Sequence, residues 1–153
     1  MALSDGERKA LTGVVGRCRE LLEDEARDQL ERIYGFSRDG SPRAIEALSL
    51  SSLERGVALD LREWHRHLAS LGKGTEVERR KAALSRMAEE TAFTVLHRLA
   101  AIRMAEERGV VRPCVRDGLR SDGFRVFFQY SGGALGREGE AYRVFLERVF
   151  DEI

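Results

Sequence analysis

The three histidines are the first residues whose chemistry could be catalytic or metal-binding. Helical bundles often hold metal ions through Glu-x-x-His pairs on facing helices. No glutamate stands three positions before a histidine here; those positions hold Arg62, Trp64 and Thr94. His65 and His67 lie two residues apart, about 200° around a helix, so they cannot bind one ion. We predict no metal site and expect both side chains at the surface or an edge of the fold.

Other catalytic patterns are missing from the sequence. His97 follows Phe93 by one helical turn, and a histidine needs an orienting partner to act as a general base, so a core or interface role is favoured. There is no Gly-x-Ser-x-Gly elbow, Walker A lysine loop or Gly-x-Gly-x-x-Gly motif. The glycine-rich segment 131–136 has no such lysine and is interpreted as a flexible loop. Binding or scaffolding is therefore predicted rather than catalysis.

One basic pattern could serve nucleic acid. Arginines recur at every fourth position in the series Arg108, Arg112, Arg116 and Arg120. On a helix they would form a basic ridge, bent by Gly109 and Pro113, and each arginine that meets a phosphate would release a counterion. Ion pairing is the favoured alternative, with acidic neighbours at Glu106, Glu107 and Asp117. The sequence leaves both interpretations open.

Composition limits the class of protein. The chain has 153 residues with 26 basic and 26 acidic side chains, so its net charge gives no overall attraction to nucleic acid or membranes. Hydrophobic residues at 42% are too frequent for disorder, and charged residues at 34% are too frequent for a membrane span. The N-terminus lacks a signal peptide pattern. We expect a soluble cytoplasmic protein in which Cys18 and Cys114 are free and reduced.

Helix starts are marked by capping boxes, in which a Ser or Thr is followed three residues later by Glu. They occur at Ser4/Glu7, Ser51/Glu54 and Thr75/Glu78. The first predicted helix carries an apolar stripe from Leu11 to Ile33, and the second carries a narrow seam from Leu53 to Leu71. Ser41 is expected to cap a short helix that begins at Pro42. Gly13 and Gly16 indicate either a close helix crossing or a later start of the first helix.

The longest uninterrupted pattern covers about residues 75–109. One apolar stripe runs from Leu84 to Ile102, and a second from Phe93 to Met104. A helix that is apolar on two sides is expected to be packed on two sides. The sequence therefore predicts an all-α fold, an irregular helical bundle around this long central helix, with residues 1–153 forming one domain.

The C-terminal third is less regular. Residues 124–128 could form a strand or a helical turn, and helix is favoured because no second strand is available for pairing. A last helix should carry aromatic residues on one face, from Tyr142 to Ile153. Both segments extend the all-α prediction to the end of the chain.

Two stretches carry a resemblance to a known family. They are Leu21–Gly35, LLEDEARDQLERIYG, and Glu90–Gly109, ETAFTVLHRLAAIRMAEERG. Together they resemble the N-terminal helical region of PglX-type adenine-specific DNA methyltransferases of restriction-modification and phage-defence systems. The resemblance covers most of the chain in order, through helical motifs of moderate specificity.

The resemblance suggests roles for three residues. Arg98 and Arg103 match the family pattern and lie among apolar residues, where an arginine must be paired. His97 stands where the family usually has Asn, so the resemblance does not assign it the hydrogen-bonding role of that Asn. We treat His97, Arg98 and Arg103 as candidates for docking this domain to the rest of an enzyme, or for structure alone.

The resemblance also implies a longer parent protein that uses S-adenosylmethionine to methylate adenine N6 in DNA. The family's Asn-Pro-Pro-Tyr motif and glycine-rich cofactor motif are absent here. The chain is therefore expected to be an N-terminal fragment that binds no cofactor itself and joins a C-terminal methyltransferase domain. The alternative is a free-standing interaction module that forms a homodimer through the Leu53–Leu71 seam or the last aromatic helix.

Overall fold

The computed structural model describes residues 3–131 and 136–152. Its five helices are α1 (Asp5–Arg32), α2 (Ser52–Leu71), α3 (Glu76–Glu107), α4 (Asp122–Ser131) and α5 (Glu138–Glu152). Short 3₁₀ turns occur at Ile45–Ala47 and Gly118–Arg120. Extended pairing within the described ranges is confined to one bridge between Phe36 and Pro42. The all-α prediction is confirmed, and the long helix predicted at about residues 75–109 is present as α3.

The capping boxes start the three long helices as predicted. In α1, the Ser4 hydroxyl accepts the Glu7 N–H at 3.3 Å and the Glu7 carboxylate accepts the Ser4 N–H at 2.7 Å. Ser51 and Glu54 make the same reciprocal bonds at the start of α2. Thr75 and Glu78 make them before α3. Each box satisfies two amides at or beside the first helical turn, which have no partner within the helix.

The short helix predicted from Pro42 is absent, and this prediction was wrong. Ser41 belongs instead to a tight turn in which the Ser37 N–H donates to the Ser41 carbonyl at 2.8 Å. The Asp39 carboxylate accepts the Ser41 N–H at 3.0 Å, so the residues that looked like a helix cap stabilise a turn. A proline fixes φ at a value that suits extended chain as well as a first helical residue, and here it lies in the bridge to Phe36.

Two compact units divide the chain, Met1–Leu96 and His97–Ile153, called the first and the second unit below. The core of the first unit consists of side chains from α1 and α3 together with Phe36, which follows α1. The α1 and α3 residues are Ala26, Leu30, Leu84, Met87 and Ala88. The core of the second unit consists of Ile102, Cys114, Phe124, Ala141 and Phe145. Because α3 runs through the boundary and contributes to both cores, the single-domain assignment stays a prediction.

The apolar stripe of α1 is buried only towards its C-terminal end. Ala26 and Leu30 join the core, whereas Leu11 and Val14 are exposed and Leu21 is 71% exposed. The predicted stripe is present on α1, but only its C-terminal part is covered by the core. Gly13 and Gly16 lie inside the helix, and no neighbouring element approaches them among the residues described. Neither explanation offered for these glycines applies.

The long helix α3 buries one apolar stripe and leaves the other open. Leu84, Ala88 and Ile102 are buried, but Phe93 and Met104 are 59% and 57% exposed. The prediction that α3 is packed on two sides was wrong. Exposed apolar side chains are common on protein surfaces, so a largely exposed second stripe is not unusual.

The C-terminal elements follow the sequence pattern. Residues 124–128 lie within the helix α4, as favoured, and α5 carries Tyr142 and Phe145 into the second core. The predicted loop at 131–136 and the predicted end at Ile153 fall largely outside the described residues. None of the helices described is both long enough and apolar enough to cross a membrane.

Candidate nucleic-acid interface

The predicted basic row does not form a helical ridge. Helix α3 ends at Glu107, and residues 108–121 form an irregular segment, called the arginine loop below. Gly109 has a φ of 68°, its N–H donates to the Glu106 carbonyl, and the Val110 N–H donates to the Ala105 carbonyl. This pair of bonds is the Schellman end of a helix, which favours glycine at the left-handed position. The ridge prediction was therefore wrong, and the four arginines lie on a loop.

One buried carboxylate organises the arginine loop. Oε1 of Glu106 accepts the N–H groups of Cys114 and Val115 at 2.5 and 2.6 Å, and both of its oxygens lie within 3.3 Å of the Arg116 nitrogen. The Arg103 guanidinium donates to Oε2. The Glu106 side chain is only 1% exposed. Three consecutive backbone amides and one arginine thus surround a single carboxylate.

The electrostatics of this carboxylate follow from its partners. Burial alone would raise the pKa of Glu106, but the N–H donors and Arg103 outweigh burial and lower the pKa to about 2. Burial, followed by the nearby Glu106 charge, raises the pKa of the Cys114 thiol to about 11. Consecutive amides of this kind form a concavity that suits an anion. Since Glu106 occupies it, any phosphate that the loop binds must be met by side chains.

The opposite side of the loop is attached to α4 and α5. The Tyr142 hydroxyl donates to the Cys114 carbonyl at 2.9 Å, and the Gly123 N–H donates to the Pro113 carbonyl at 2.7 Å. The Tyr142 ring meets Phe124 edge to face at 5.1 Å. The loop backbone is therefore bonded both to α3 and to the helices that follow it.

All four predicted arginines are exposed on this loop. Arg116 makes only long ion pairs, at 3.9 Å to Glu107 and 3.8 Å to Asp117. The ion-pairing alternative is therefore confirmed for Arg116. Within the described ranges, Arg108, Arg112 and Arg120 form no salt bridge with a carboxylate. Arg112 also lines an open cavity of about 710 Å³ together with Asp122, Arg125 and Glu138.

The residues suggested for docking, His97, Arg98 and Arg103, lie on α3 and not on the arginine loop. His97 is exposed, so the core role offered for it was wrong, while the interface role is untested. Arg98 is also exposed rather than embedded among apolar residues, and its guanidinium lies over the Phe150 ring at 5.8 Å from the centroid. Arg103 is paired as expected, with Glu106 and with Glu107, the latter at 2.6 Å.

The sequence analysis did not predict the burial of Glu106 or of His65. Glu106 appeared only as an ion-pair neighbour, because its partners are backbone amides eight to ten positions away. The prediction that His65 lies at the surface or an edge of the fold was wrong: it is 4% exposed, and its Nε2 donates to the Arg80 carbonyl at 3.0 Å. Burial lowers the pKa of His65. A signal for its burial was present, since His65 lies one turn from Leu61 and Leu68 on the α2 seam.

His67 is exposed, as predicted. In the part of the chain that the structure describes, no three His, Cys, Asp or Glu side chains are placed to hold a metal ion. Cys18 and Cys114 are free. No protein-family model, curated protein or solved structure matched the chain.

Proposed function

We propose that this chain is the helical accessory domain of an S-adenosylmethionine-dependent, adenine-specific DNA methyltransferase in a restriction-modification or phage-defence system. The domain is non-catalytic, and its arginine loop contacts the DNA backbone and helps to position the duplex. Cofactor binding and methyl transfer belong to a C-terminal methyltransferase domain of the parent protein. Because the substrate is cellular or phage DNA, the proposal includes a cytoplasmic location.

The observation that carries the proposal is the arrangement of the loop arginines. Arg108, Arg112 and Arg120 are exposed and make no salt bridge with a described carboxylate, so their charge is available to a phosphate. The loop backbone is held by Glu106 and Tyr142, so little order has to be gained on binding. Contacts of arginine with phosphate fix orientation without reading sequence, which agrees with a positioning role. The two stretches that resemble PglX-type enzymes supply the enzyme class.

Direct DNA contact is tested by fluorescence anisotropy of a labelled duplex at low and at physiological salt. We expect binding that weakens steeply with salt, with about 0.9 lost from the logarithmic slope for each phosphate contact removed. The loop variant is Arg108→Gln/Arg112→Gln/Arg120→Gln. The charge-matched control is Arg137→Gln/Arg143→Gln/Arg148→Gln, which changes three exposed arginines at the start of and along α5. Absence of binding at low salt, or equal losses in both variants, would overturn the proposed contact.

The enzyme class is tested by the coding frame of the gene. The proposal requires an Asn-Pro-Pro-Tyr motif and a glycine-rich cofactor motif downstream in the same frame. A stop codon directly after Ile153 would contradict the parent methyltransferase while leaving the DNA-contact experiment meaningful.

A free-standing dimerisation module is the second candidate, and the exposed stripe of α1 favours it. Leu11, Val14 and Leu21 lie open on that helix. The two surfaces predicted from the sequence are less available for dimerisation. Leu61 and Leu68 of the α2 seam pack on the first core, and Phe145 of the last helix lies in the second core. Sedimentation velocity of the wild type and of Leu11→Asn/Val14→Asn separates the candidates. A dimer that this substitution dissociates, without DNA affinity, would favour the module.

A further inference from the structure

A second arginine-rich site lies in the first unit, away from the arginine loop in sequence. A cavity of about 460 Å³ is lined by one face of α2 and by the first turn of α3. Arg62, His65, Arg66 and Ala69 contribute from α2. Their spacing of three and four places them on a single helix face, so the cavity has one continuous wall.

The charges around this cavity are unbalanced. Four guanidinium groups line it, from Arg62, Arg66, Arg79 and Arg80, against the single carboxylate of Glu76. That carboxylate is already bonded to Arg80. The neighbouring His65 adds no charge at neutral pH, because its burial favours the neutral ring. By contrast, the cavity beside Arg112 has two arginines and two carboxylates.

Two of the four arginines are held by the protein itself. The Arg62 guanidinium donates to the Arg43 carbonyl at 2.7 Å and to the Ala58 carbonyl at 3.0 Å, and it lies over the Phe36 ring. Arg80 donates to the Ser41 hydroxyl at 2.9 Å. These bonds fix the wall of the cavity. Glu46 and Asp39, which do not line the cavity, also act electrostatically on Arg62 and Arg80, so these two charges are partly balanced by the protein.

The other two arginines have no acceptor among the described residues. Arg66 is exposed at the rim and makes no hydrogen bond or salt bridge there. Arg79 is half-buried, and its Nε is buried without a hydrogen-bond partner. This Nε is closed off from solvent, so an external anion would meet the remaining donors of Arg79, which lines the cavity, together with the exposed Arg66.

We propose that this cavity binds a phosphate group, with Arg66 and Arg79 as the direct ligands and with Arg62 and Arg80 supplying fixed positive charge. Arginine suits this task because its planar donors match the oxygens of phosphate and its charge persists at every physiological pH. The phosphate belongs either to a nucleic-acid backbone or to a free phosphorylated small molecule. The site is independent of the proposed DNA contact, which uses residues of the second unit.

The test is isothermal titration of the full chain with inorganic phosphate, and then with a short DNA duplex in the presence and absence of phosphate. We expect Arg66→Gln/Arg79→Gln to weaken phosphate binding by about tenfold or more, since each lost charge-assisted bond is large on this scale. The charge-matched control is Arg8→Gln/Arg17→Gln on the exposed part of α1, which should bind as the wild type does. Circular dichroism verifies that each variant is folded.

A second variant covers the case in which loss of Arg79 unfolds the unit. Arg66→Glu changes only the exposed rim residue and should abolish phosphate binding in a folded protein.

The competition experiment identifies the source of the phosphate. If phosphate and duplex still compete in the variant Arg108→Gln/Arg112→Gln/Arg120→Gln, the site binds a nucleic-acid backbone. If phosphate binds without competing with the duplex, the site binds a free phosphorylated molecule. Absence of phosphate binding by the wild type, or equal losses in the α1 control, would overturn the proposal. Neither result would affect the arginine-loop experiment.

Discussion

The backbone N–H of Cys114 donates to the carboxylate of Glu106 at 2.5 Å, across eight positions of the chain. This bond joins the last turn of α3 to the middle of the arginine loop. The same carboxylate also accepts hydrogen bonds from the Val115 N–H and from the Arg103 guanidinium. Glu106 therefore attaches the backbone of the arginine loop to α3, and Tyr142 attaches it to α5.

Replacing Glu106 tests this role directly. Glu106→Gln removes a charged acceptor while leaving three buried or half-buried amides and Arg103 to be satisfied, so we expect the free energy of unfolding to fall by about 3 kcal/mol. Urea titration followed by circular dichroism measures it. The matched control is Glu107→Gln, an exposed neighbour that also pairs with Arg103, which should change stability by less than about 1 kcal/mol. Equal effects of the two substitutions would show that Glu106 is only another surface charge.

Acid should destabilise the protein partly through Glu106. Its pKa is about 2 in the folded chain against an ordinary value of 4.5, so the unfolded chain binds more protons between these values. The stabilisation is fully present above the unfolded pKa and is lost as the pH falls through the folded pKa. About 3 kcal/mol is expected to disappear over this window.

The measurement is urea unfolding at a series of pH values from neutral to strongly acidic. Hydrogen bonds from Ser4, Ser41 and Thr75 also lower the pKa values of Glu7, Asp39 and Glu78, so these exposed carboxylates contribute to the same trend. The informative quantity is therefore the difference between the wild type and Glu106→Gln, which should shrink towards low pH. A difference that stays constant with pH would refute the assignment.

The two cysteines should differ sharply in reactivity. Cys114 is 3% exposed and burial raises its pKa to about 11, so little thiolate forms at mildly alkaline pH. Cys18 is half-buried on α1. We expect one thiol to react with a chromogenic disulfide in the native protein and two in denaturant, with peptide mapping assigning the native product to Cys18. Fast labelling of Cys114 would mean that the loop opens readily, and Glu106→Gln should accelerate that labelling.

Local signals in the sequence predicted the helices well. Capping boxes such as Ser51/Glu54 act over three residues and can be found by inspection, and all three are formed. Periodicity is weaker evidence for burial, because it identifies an apolar face without identifying what covers it. Leu21 shows this limit, as it fits the α1 stripe and is 71% exposed.

Both candidate sites depend on contacts that the spacing of residues in the sequence cannot reveal. Glu106 is bonded to amides in a loop, and a backbone amide carries no sequence signature. The cavity beside Arg79 requires α2 and α3 to lie side by side, so its arginines are scattered over 19 positions of the chain, from Arg62 to Arg80. The arginines at positions 108–120 recur at a helical period, yet α3 ends at Glu107, before the first of them.

Gly40 provides a test of how the first unit is assembled. Its φ is 81°, a value that side chains other than that of glycine rarely adopt, and a Cβ there would lie 2.5 Å from the carbonyl carbon of Arg80. The turn that contains Ser41 therefore lies directly against the backbone of α3. We expect Gly40→Ala to lower the free energy of unfolding by about 2 kcal/mol or more, from backbone strain together with displacement of the turn.

Gly56→Ala is the matched control for Gly40→Ala. Gly56 lies inside α2, where a Cβ would meet nothing within 4 Å, so alanine should raise stability by up to about 1 kcal/mol. The single tryptophan, Trp64, packs on the first core, and its fluorescence in urea reports the unfolding of this unit for both variants. Opposite shifts of the two midpoints are the expected result. If Gly40→Ala were neutral, the turn could not be in contact with the Arg80 backbone, and the wall of the proposed phosphate site would lose the bond from Arg80 to Ser41.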